Sequence, residues 1–192
     1  MRVTGGTLGG RNLAAPRDES VRPTADKVRQ AVFNILAHND FGIGFTLDGA
    51  RVADIFAGTG ALGIEALSRG ASYCLFVDDS ADSRGLIREN VEEFGLTGVS
   101  KIWRRDATSL GPMSAGSGGP FDLVLLDPPY RKNLIEPALK SLHAGGWLSP
   151  NAVIVAELAE DEPVSIAEDF AVRDEHTYGD TRVAFLTVSP SR

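Results

Sequence analysis

The tetrapeptide DPPY, residues 127–130, directly follows the apolar run FDLVLL. The run predicts a buried strand, and two consecutive prolines must end it because proline has no backbone N–H for a sheet ladder. The prolines also fix their own φ angles, so the loop that follows the strand is stiff. The carboxylate of Asp127 and the carbonyl of Pro128 are then two fixed acceptors that could orient an amino group. Tyr130 offers a ring on which a planar group could stack.

A glycine-rich loop supplies a second element with chemical meaning. The stretch ADIFAGTGALGIEAL places Gly58, Gly60 and Gly63 between a predicted strand and a predicted helix. Glycines at this spacing allow a tight turn and let a ligand approach the backbone closely. Asp78 ends the next predicted strand, 20 residues after Gly58, where a carboxylate can accept hydrogen bonds from ribose hydroxyls. The pattern predicts a site for a ligand that contains a nucleoside.

Acidic residues at three predicted strand ends distinguish between nucleoside ligands. Asp54 lies four residues before Gly58, and Asp106 follows the third predicted strand. A dinucleotide would bring a pyrophosphate to this loop, and a neighbouring carboxylate would repel it. S-adenosylmethionine has no phosphate and carries an ammonium and a sulfonium, so the acidic residues favour it. Asp106 precedes ATSL and could alternatively cap a helix.

The elements that position these residues alternate along the chain from residue 51 onward. We predict strands in RVADIF, SYCLFV, VSKIWR, FDLVLL and AVIVAEL, and helices in ALGIEALSR, ADSRGLIRENVEEFG and LIEPALKSLHAG. This order predicts an α/β fold with a mostly parallel sheet and helices on both faces. The last segment, EDFAVRDEHTYGDTRVAFLTVS, predicts two antiparallel strands joined by a turn at 178–180, which completes a seven-stranded Rossmann-like sheet.

The N-terminal part differs from the rest in composition. The stretch RVTGGTLGGRNLAA predicts a short hairpin, and an amphipathic helix is predicted to follow Pro23. Residues 1–30 hold six cationic and three acidic residues, a net charge of +3, so the remainder carries −10 of the total of −7. We therefore predict a basic extension over 1–22 that contacts a polyanion, and one domain over 23–192. The glycines predict that the extension is mobile without a partner.

Composition excludes several classes of protein. The chain has 192 residues, 43% of them apolar, which suits one globular domain. No stretch approaches the roughly 20 apolar residues of a membrane span, and the N-terminus lacks the apolar segment of a signal peptide. The single cysteine, Cys74, lies in an apolar run and is predicted to be a core thiol, and the three histidines show no ligand spacing with it. We expect a cytoplasmic monomer without a metal or a membrane partner.

Four stretches together resemble one protein family. DIFAGTGALGIEALSRGA, VRPTADKVRQAVFNIL, DPPY and YGDTR are similar to segments of bacterial 16S rRNA guanine-N2 methyltransferases, which are class I S-adenosylmethionine-dependent methyltransferases. The glycine loop and the tetrapeptide define only that superfamily, and RPTADKVRQAVFN is the more specific element. The chain departs from the family at Asp78, where Glu is more usual. Aspartate is one methylene shorter, so Asp79 could share or take the ribose contact.

The resemblance implies methyl transfer from S-adenosylmethionine to the N2 amine of a guanosine in 16S rRNA or in a small-subunit assembly intermediate. It implies that the catalytic residues, which would orient the flipped base, are Asp127, Pro128, Pro129 and Tyr130. The expected cofactor-binding residues are Asp54, Ala57, Gly58, Thr59, Gly60, Asp78, Asp79 and Asp106.

The predicted RNA-binding residues are the cations of the N-terminal part, namely Arg2, Arg11, Arg22, Lys27 and Arg29. Two of them, Arg22 and Arg29, could instead brace the wall of the active site. The tetrapeptide serves several amines, so methylation of adenine N6 or cytosine N4 in DNA or RNA remains an alternative. The glycine loop alone also fits an NAD-dependent oxidoreductase, and a non-catalytic RNA-binding assembly factor could keep the same fold.

Overall fold

The computed structural model describes residues 1–17, 23–163 and 165–190, apart from the side chains of residues 23 and 24. The strands are β1 Arg51–Ile55, β2 Tyr73–Val77, β3 Ser100–Trp103, β4 Phe121–Leu126, β5 Leu148–Ala159, β6 Phe170–Tyr178 and β7 Thr181–Val188. The helices are α1 Pro23–His38, α2 Ala61–Ser68, α3 Ala81–Glu93 and α4 Ile135–Ala144. Short 3-10 turns lie at Thr97–Val99 and Ala115–Ser117.

The seven strands form one sheet in the order β3-β2-β1-β4-β5-β7-β6. The first five strands run parallel, and β7 is antiparallel to both of its neighbours. The predicted α/β class, the parallel sheet and the closing antiparallel pair are therefore confirmed. The strand order reverses between β1 and β4. In open sheets of this kind, ligands bind outside the carboxyl ends of the strands at such a point.

Two buried clusters cover the two faces of the sheet. Residues of α1, α2 and α3 pack on one face and residues of α4 on the other. Because side chains alternate along a strand, Ala53 and Ile55 lie on the α4 side, and Asp54 lies on the α1–α3 side. Cys74 is fully buried, as predicted, and burial raises the pKa of its thiol well above the usual range.

The N-terminal residues form the predicted hairpin. The Val3 amide donates to the Arg11 carbonyl (3.0 Å), the Gly10 amide donates to the Val3 carbonyl (2.8 Å), and Arg2 pairs with Asn12 in antiparallel fashion. The expected mobility is wrong for these residues. Val3 and Leu13 are only 1% and 7% exposed, and both belong to the cluster under α1 and α2.

Polar side chains of the helices also bind the hairpin. Glu65 on α2 is completely buried and accepts hydrogen bonds from the Thr4 amide at both carboxylate oxygens, over 3.0 and 3.1 Å. The Ser68 hydroxyl donates to the Gly5 carbonyl and accepts from the Leu8 amide. The hairpin thus donates hydrogen bonds to a buried carboxylate, and the guanidinium groups of Arg69 and Arg29 lie 3.7 and 3.8 Å from the same carboxylate. The predicted division at residue 22 falls in 18–22, outside the described residues, and stays a prediction.

Two further observations concern the described residues as a whole. None of their helices has the length and apolarity needed to cross a membrane. Over residues 1–17, 23–163 and 165–190, no group of three or more His, Cys, Asp and Glu side chains is arranged to hold a metal ion.

Candidate active site

A cavity of about 490 Å³ opens where β1, β4 and β5 end. The glycine loop after β1, the tetrapeptide after β4 and the inner surface of α1 form its walls. The residues that line it include Arg29, Phe56, Ala57, Gly58, Thr59, Asp127, Tyr130, Glu157 and Thr181. The structure therefore brings the two sequence motifs, which lie about 70 residues apart in the chain, to one cavity, as expected for strand ends that meet at one edge of a sheet.

The glycines of the loop differ in what they face. A Cβ added at Gly58 would meet no atom within 4 Å, so this glycine borders open space in the cavity. Gly60 has φ +81° and its added Cβ would lie 3.2 Å from the Phe76 ring, which directs it to the core. Phe56, a cavity residue, has φ +60°, a strained conformation of the kind found at ligand sites. Close approach of a ligand to the backbone is thus possible at Gly58, whereas Gly60 shapes the loop from beneath.

Asp54 lies under the glycine loop. It is 1% exposed, and its Oδ2 accepts a hydrogen bond from the Gly63 amide at 2.9 Å, which ties β1 to the first turn of α2. Its Oδ1 is buried and has no hydrogen-bond partner among the residues that the structure describes. Desolvation, assisted by the charge of Asp78 and opposed by the Gly63 hydrogen bond, raises the pKa of Asp54 to about 8. Asp54 is not part of the cavity wall, so any effect on a ligand passes through the loop above it.

Asp78 and Asp79 follow β2 but have different surroundings. Asp78 accepts a hydrogen bond from the Gly58 amide at Oδ2 and from the Ser80 amide at Oδ1, both over 2.9 Å. Asp79 is exposed. Asp78 therefore holds the turn of the glycine loop, and Asp79 is directed toward solvent at the start of α3.

Asp106 is the candidate that lies apart from the others. It is exposed and does not line the cavity. Its Oδ1 accepts hydrogen bonds from the Thr108 hydroxyl (2.7 Å) and the Thr108 amide (2.8 Å), and these two bonds lower the pKa of the carboxyl. The residues that follow form a turn and not a helix. In this structure Asp106 stabilises the loop after β3.

The tetrapeptide contributes Asp127 and Tyr130 to the cavity wall. The stiff turn has one buried proline, Pro128, and one exposed proline, Pro129. The Tyr130 hydroxyl donates to Oε1 of Glu157 (2.8 Å) and lies 2.9 Å from Oγ1 of Thr181. These contacts connect the tetrapeptide to β5 and β7 and fix the plane of the ring.

Glu157 is the cavity residue that the sequence patterns did not single out. The signal for it was present, since it is the only charged residue in the apolar run AVIVAEL. Leu126 pairs with Ala156 across β4 and β5, so Asp127, the first residue after β4, follows the same register position as Glu157 on β5. Two carboxylates are therefore side by side at the carboxyl edge of the sheet.

The two carboxylates influence each other strongly. Desolvation by the cavity walls, and then the charges of Glu157 and Asp54, raise the pKa of Asp127 well above its usual range. The Asp127 side chain still contacts solvent, and that water limits the shift. Desolvation also raises the pKa of Glu157, against the opposing effects of the Tyr130 hydrogen bond and the Arg29 charge. Full ionisation of both groups is disfavoured unless a ligand supplies donors.

The predicted RNA-binding cations fall into three groups. Arg2, Arg11 and Lys27 are exposed, and Arg22 lies outside the described residues. Arg29 is only 5% exposed, donates to Oδ1 of Asp26 (2.8 Å) and to the Arg2 carbonyl, and borders the cavity. Its placement favours the bracing of the cavity wall over a contact with RNA phosphate.

The chain is similar to known proteins over nearly its full length. The family described as "Conserved hypothetical protein 95" matches residues 1–187. "Putative rRNA methyltransferase YlbH" from Bacillus subtilis is 37% identical over 187 residues, which cover 96% of this chain and 97% of the relative. "Ribosomal RNA small subunit methyltransferase D" from Escherichia coli is 37% identical over 158 residues, or 82% and 74% of the two chains. The solved structure titled "Putative methyltransferase yhhF from Escherichia coli" has a TM-score of 0.80 and 26% identity, and covers 98% of this chain and 97% of that one.

Proposed function

Because the chain belongs to the family described as conserved hypothetical protein 95, we propose that it transfers a methyl group from S-adenosylmethionine to the N2 amine of a guanosine in 16S rRNA. The names of the curated relatives support an rRNA methyltransferase of the small ribosomal subunit. The choice of amine rests on the resemblance described above and on the chemistry of the tetrapeptide. We expect the protein to act in the cytoplasm, as a monomer, on 16S rRNA or a small-subunit assembly intermediate.

One observation carries this proposal. The open backbone at Gly58 and the carboxylate of Asp127 border the same cavity. Methyl transfer between two bound molecules requires the donor and the acceptor to meet within one enclosed space in a fixed orientation. The alternative of an RNA-binding protein without catalysis gives no reason for this convergence.

The residues of the cavity fit S-adenosylmethionine, which when bound supplies an electrophilic methyl group on a sulfonium. Asp127 and Glu157 make the wall acidic, which favours a cation and disfavours a pyrophosphate. Ala57, Gly58 and Thr59 line the cavity, where their backbone can contact the ligand. Asp78 or Asp79, directly after β2, would accept a hydrogen bond from a ribose hydroxyl. Of the described wall residues, Arg29 alone carries a guanidinium, which complements an α-carboxylate.

The tetrapeptide would prepare the acceptor amine. The lone pair of an exocyclic amine is conjugated with the base, so it is a poor nucleophile until it is turned out of the ring plane. Asp127 would accept one N–H and the Pro128 carbonyl the other, and Tyr130 would stack on the base. Such orientation is worth ~7–11 kcal/mol in favourable cases. As the N–C bond forms and the S–C bond breaks, the nitrogen becomes acidic, and Asp127 or water takes its proton.

Methylation of defined RNA tests the proposal. The purified protein would be incubated with S-adenosylmethionine and with naked 16S rRNA or small subunits from a strain lacking the gene. Mass spectrometry of the nucleosides is expected to show N2-methylguanosine. N6-methyladenosine or N4-methylcytidine would instead establish the alternative amines. RNA binding without methyl incorporation would establish an assembly factor, and calorimetric titration with S-adenosylmethionine and NAD separates the oxidoreductase alternative.

A further inference from the structure

In the function proposed above, Glu157 contributes only negative charge to the cavity wall, although it borders the same cavity as Asp127. The two residues follow the pair Leu126–Ala156 on the adjacent strands β4 and β5. Neighbouring strands lie ~4.8 Å apart, so the two side chains on one face of the sheet can contact the same small planar group. The contribution of the Glu157 charge to the raised pKa of Asp127 agrees with this proximity.

One carboxylate oxygen of Glu157 accepts a hydrogen bond from a described residue, and the other does not. Oε1 accepts the Tyr130 hydroxyl proton at 2.8 Å, and Thr181 lies 2.9 Å from the same hydroxyl. In the part of the chain that the structure describes, Tyr130 is the only donor to this carboxylate, which leaves Oε2 for a ligand. The carboxylate is therefore pre-oriented by the ring on which the base would stack, and it can only accept hydrogen bonds while it is ionised.

Base edges differ in what they offer to such a pair of acceptors. Guanine presents two adjacent donors, N1–H and the N2 amine. Adenine and cytosine present their exocyclic amine beside a ring nitrogen that is an acceptor. When Asp127 holds the amine, the neighbouring ring position faces the second carboxylate. An N1–H there makes a charge-assisted hydrogen bond, whereas a ring lone pair is repelled.

We propose that Glu157 is the residue that selects guanine, by accepting the N1–H of the base whose N2 amine is held by Asp127. This inference rests on the proposed function and goes beyond it, because the tetrapeptide alone serves several amines. It also explains why two like charges lie side by side in the cavity. The two adjacent donors of guanine provide a hydrogen bond to each carboxylate. A base edge that has a donor only at its exocyclic amine cannot do so.

A simpler role for Glu157 is to anchor Tyr130, and the two roles have different consequences. If Glu157 only anchors the ring, Tyr130→Phe and Glu157→Gln lower the rate alike and leave base selection unchanged. If Glu157 reads the base, Glu157→Gln alone changes selection, because the glutamine amide can either accept from an N–H or donate to a ring nitrogen. Glu160→Gln, the same chemical change on an exposed residue three positions along, is the matched control.

The test compares guanosine with 2-aminopurine ribonucleoside at the methylated position of a synthetic rRNA segment. 2-Aminopurine keeps the N2 amine, replaces N1–H by an acceptor and lacks O6, so the loss of preference in Glu157→Gln is what assigns the preference to N1–H. The wild type is expected to favour guanosine in kcat/KM by about 10- to 100-fold, the range of a specific base contact. In Glu157→Gln the preference should fall to about threefold or less, and in Tyr130→Phe and Glu160→Gln it should stay at the wild-type value.

Equal rates of the wild type on the two RNAs would overturn the inference, and this result does not depend on whether any variant folds. An unchanged preference in Glu157→Gln, with wild-type affinity for S-adenosylmethionine, would overturn it as well. Both results are compatible with formation of N2-methylguanosine, so the proposed function would stand. Absence of N2-methylguanosine with the wild type would instead remove the proposed function itself, and the inference with it.

Discussion

The carboxylate of Asp78 accepts a hydrogen bond from the Gly58 amide over 2.9 Å, so the end of β2 holds the turn that follows β1. Its second oxygen binds the Ser80 amide at the same distance. Each carboxylate oxygen has a further lone pair, so Asp78 can hold the loop and accept a ribose hydroxyl at the same time. Asp79, by contrast, is exposed.

Substitution of Asp78 is therefore expected to weaken cofactor binding more than substitution of Asp79. Asp78→Ala removes the acceptor of the Gly58 amide together with a ribose contact, and should lower the affinity for S-adenosylmethionine by about 10- to 100-fold, the loss of one or two hydrogen bonds to a charged group. Asp79→Ala is the matched control, and isothermal titration is the measurement. If Asp79→Ala has the larger effect, the ribose ligand is Asp79 and the role of Asp78 is confined to the loop.

Asp127→Ala should abolish most methyl transfer while leaving cofactor affinity nearly unchanged. Asp127 borders the cavity from the β4 side, and among the described residues no hydrogen bond joins it to the glycine loop. Loss of a positioned acceptor is expected to lower the single-turnover rate about 10²- to 10⁴-fold. Asp48→Ala, on an exposed residue before β1 that does not line the cavity, serves as the control. A rate near that of the wild type would show that Asp127 does not hold the amine.

The fold was largely predictable because its strands are continuous apolar runs. FDLVLL coincides with β4, and the alternation of strands and helices was sufficient to predict the parallel sheet and its antiparallel end. The resemblance to the methyltransferase family is confirmed by the family match over residues 1–187. The convergence of DPPY and the glycine loop follows from the same pattern, because parallel strands place their carboxyl ends at one edge.

Features that depend on contacts between residues far apart in the sequence were not predictable. Glu157 is significant because β4 and β5 are adjacent and in register, which places it beside Tyr130, 27 residues earlier in the chain. The hairpin was expected to be mobile on its glycines alone, yet Thr4 binds Glu65, a partner 61 residues away. Short-range patterns carry no information about such pairs.

The buried carboxyl of Asp54 predicts a pH effect on stability. Burial raises its pKa from 3.8 to about 8. Between these two pH values the native protein keeps a proton that the unfolded chain loses. The contribution of Asp54 to the free energy of unfolding therefore falls as the pH rises. Asp54→Asn removes the titration at nearly constant shape. Relative to the wild type, the variant should gain ~4 kcal/mol in free energy of unfolding between pH 4 and pH 7. Urea unfolding of both proteins at several pH values measures this difference, and a difference that does not vary with pH would refute the assignment.

The last prediction concerns RNA, and the packing of the hairpin determines how it must be tested. Deletion of residues 1–20 would remove Val3 and the Thr4 amide, which exposes apolar core and removes the two hydrogen bonds that Glu65 accepts from that amide. A loss of activity would then report unfolding as much as lost RNA contacts. Substitution of the exposed cations keeps the backbone contacts of the hairpin. Arg11→Gln also removes a hydrogen bond to the Glu93 carbonyl (3.1 Å), so urea unfolding of the variant is measured first.

The triple variant of Arg2, Arg11 and Lys27 to Gln should fold and bind S-adenosylmethionine like the wild type, but bind RNA more weakly. Each lost phosphate contact should reduce the slope of log affinity against log salt concentration by ~0.7–0.9, and methylation at low RNA concentration should fall with the affinity. The triple variant of Lys101, Arg104 and Arg105 to Gln, three exposed cations on and directly after β3, is the control for the loss of three charges. If the variant of Arg2, Arg11 and Lys27 keeps the wild-type slope and the affinity is intact, RNA contacts other cations, and Arg131 and Lys132 beside the tetrapeptide would be the next residues to substitute.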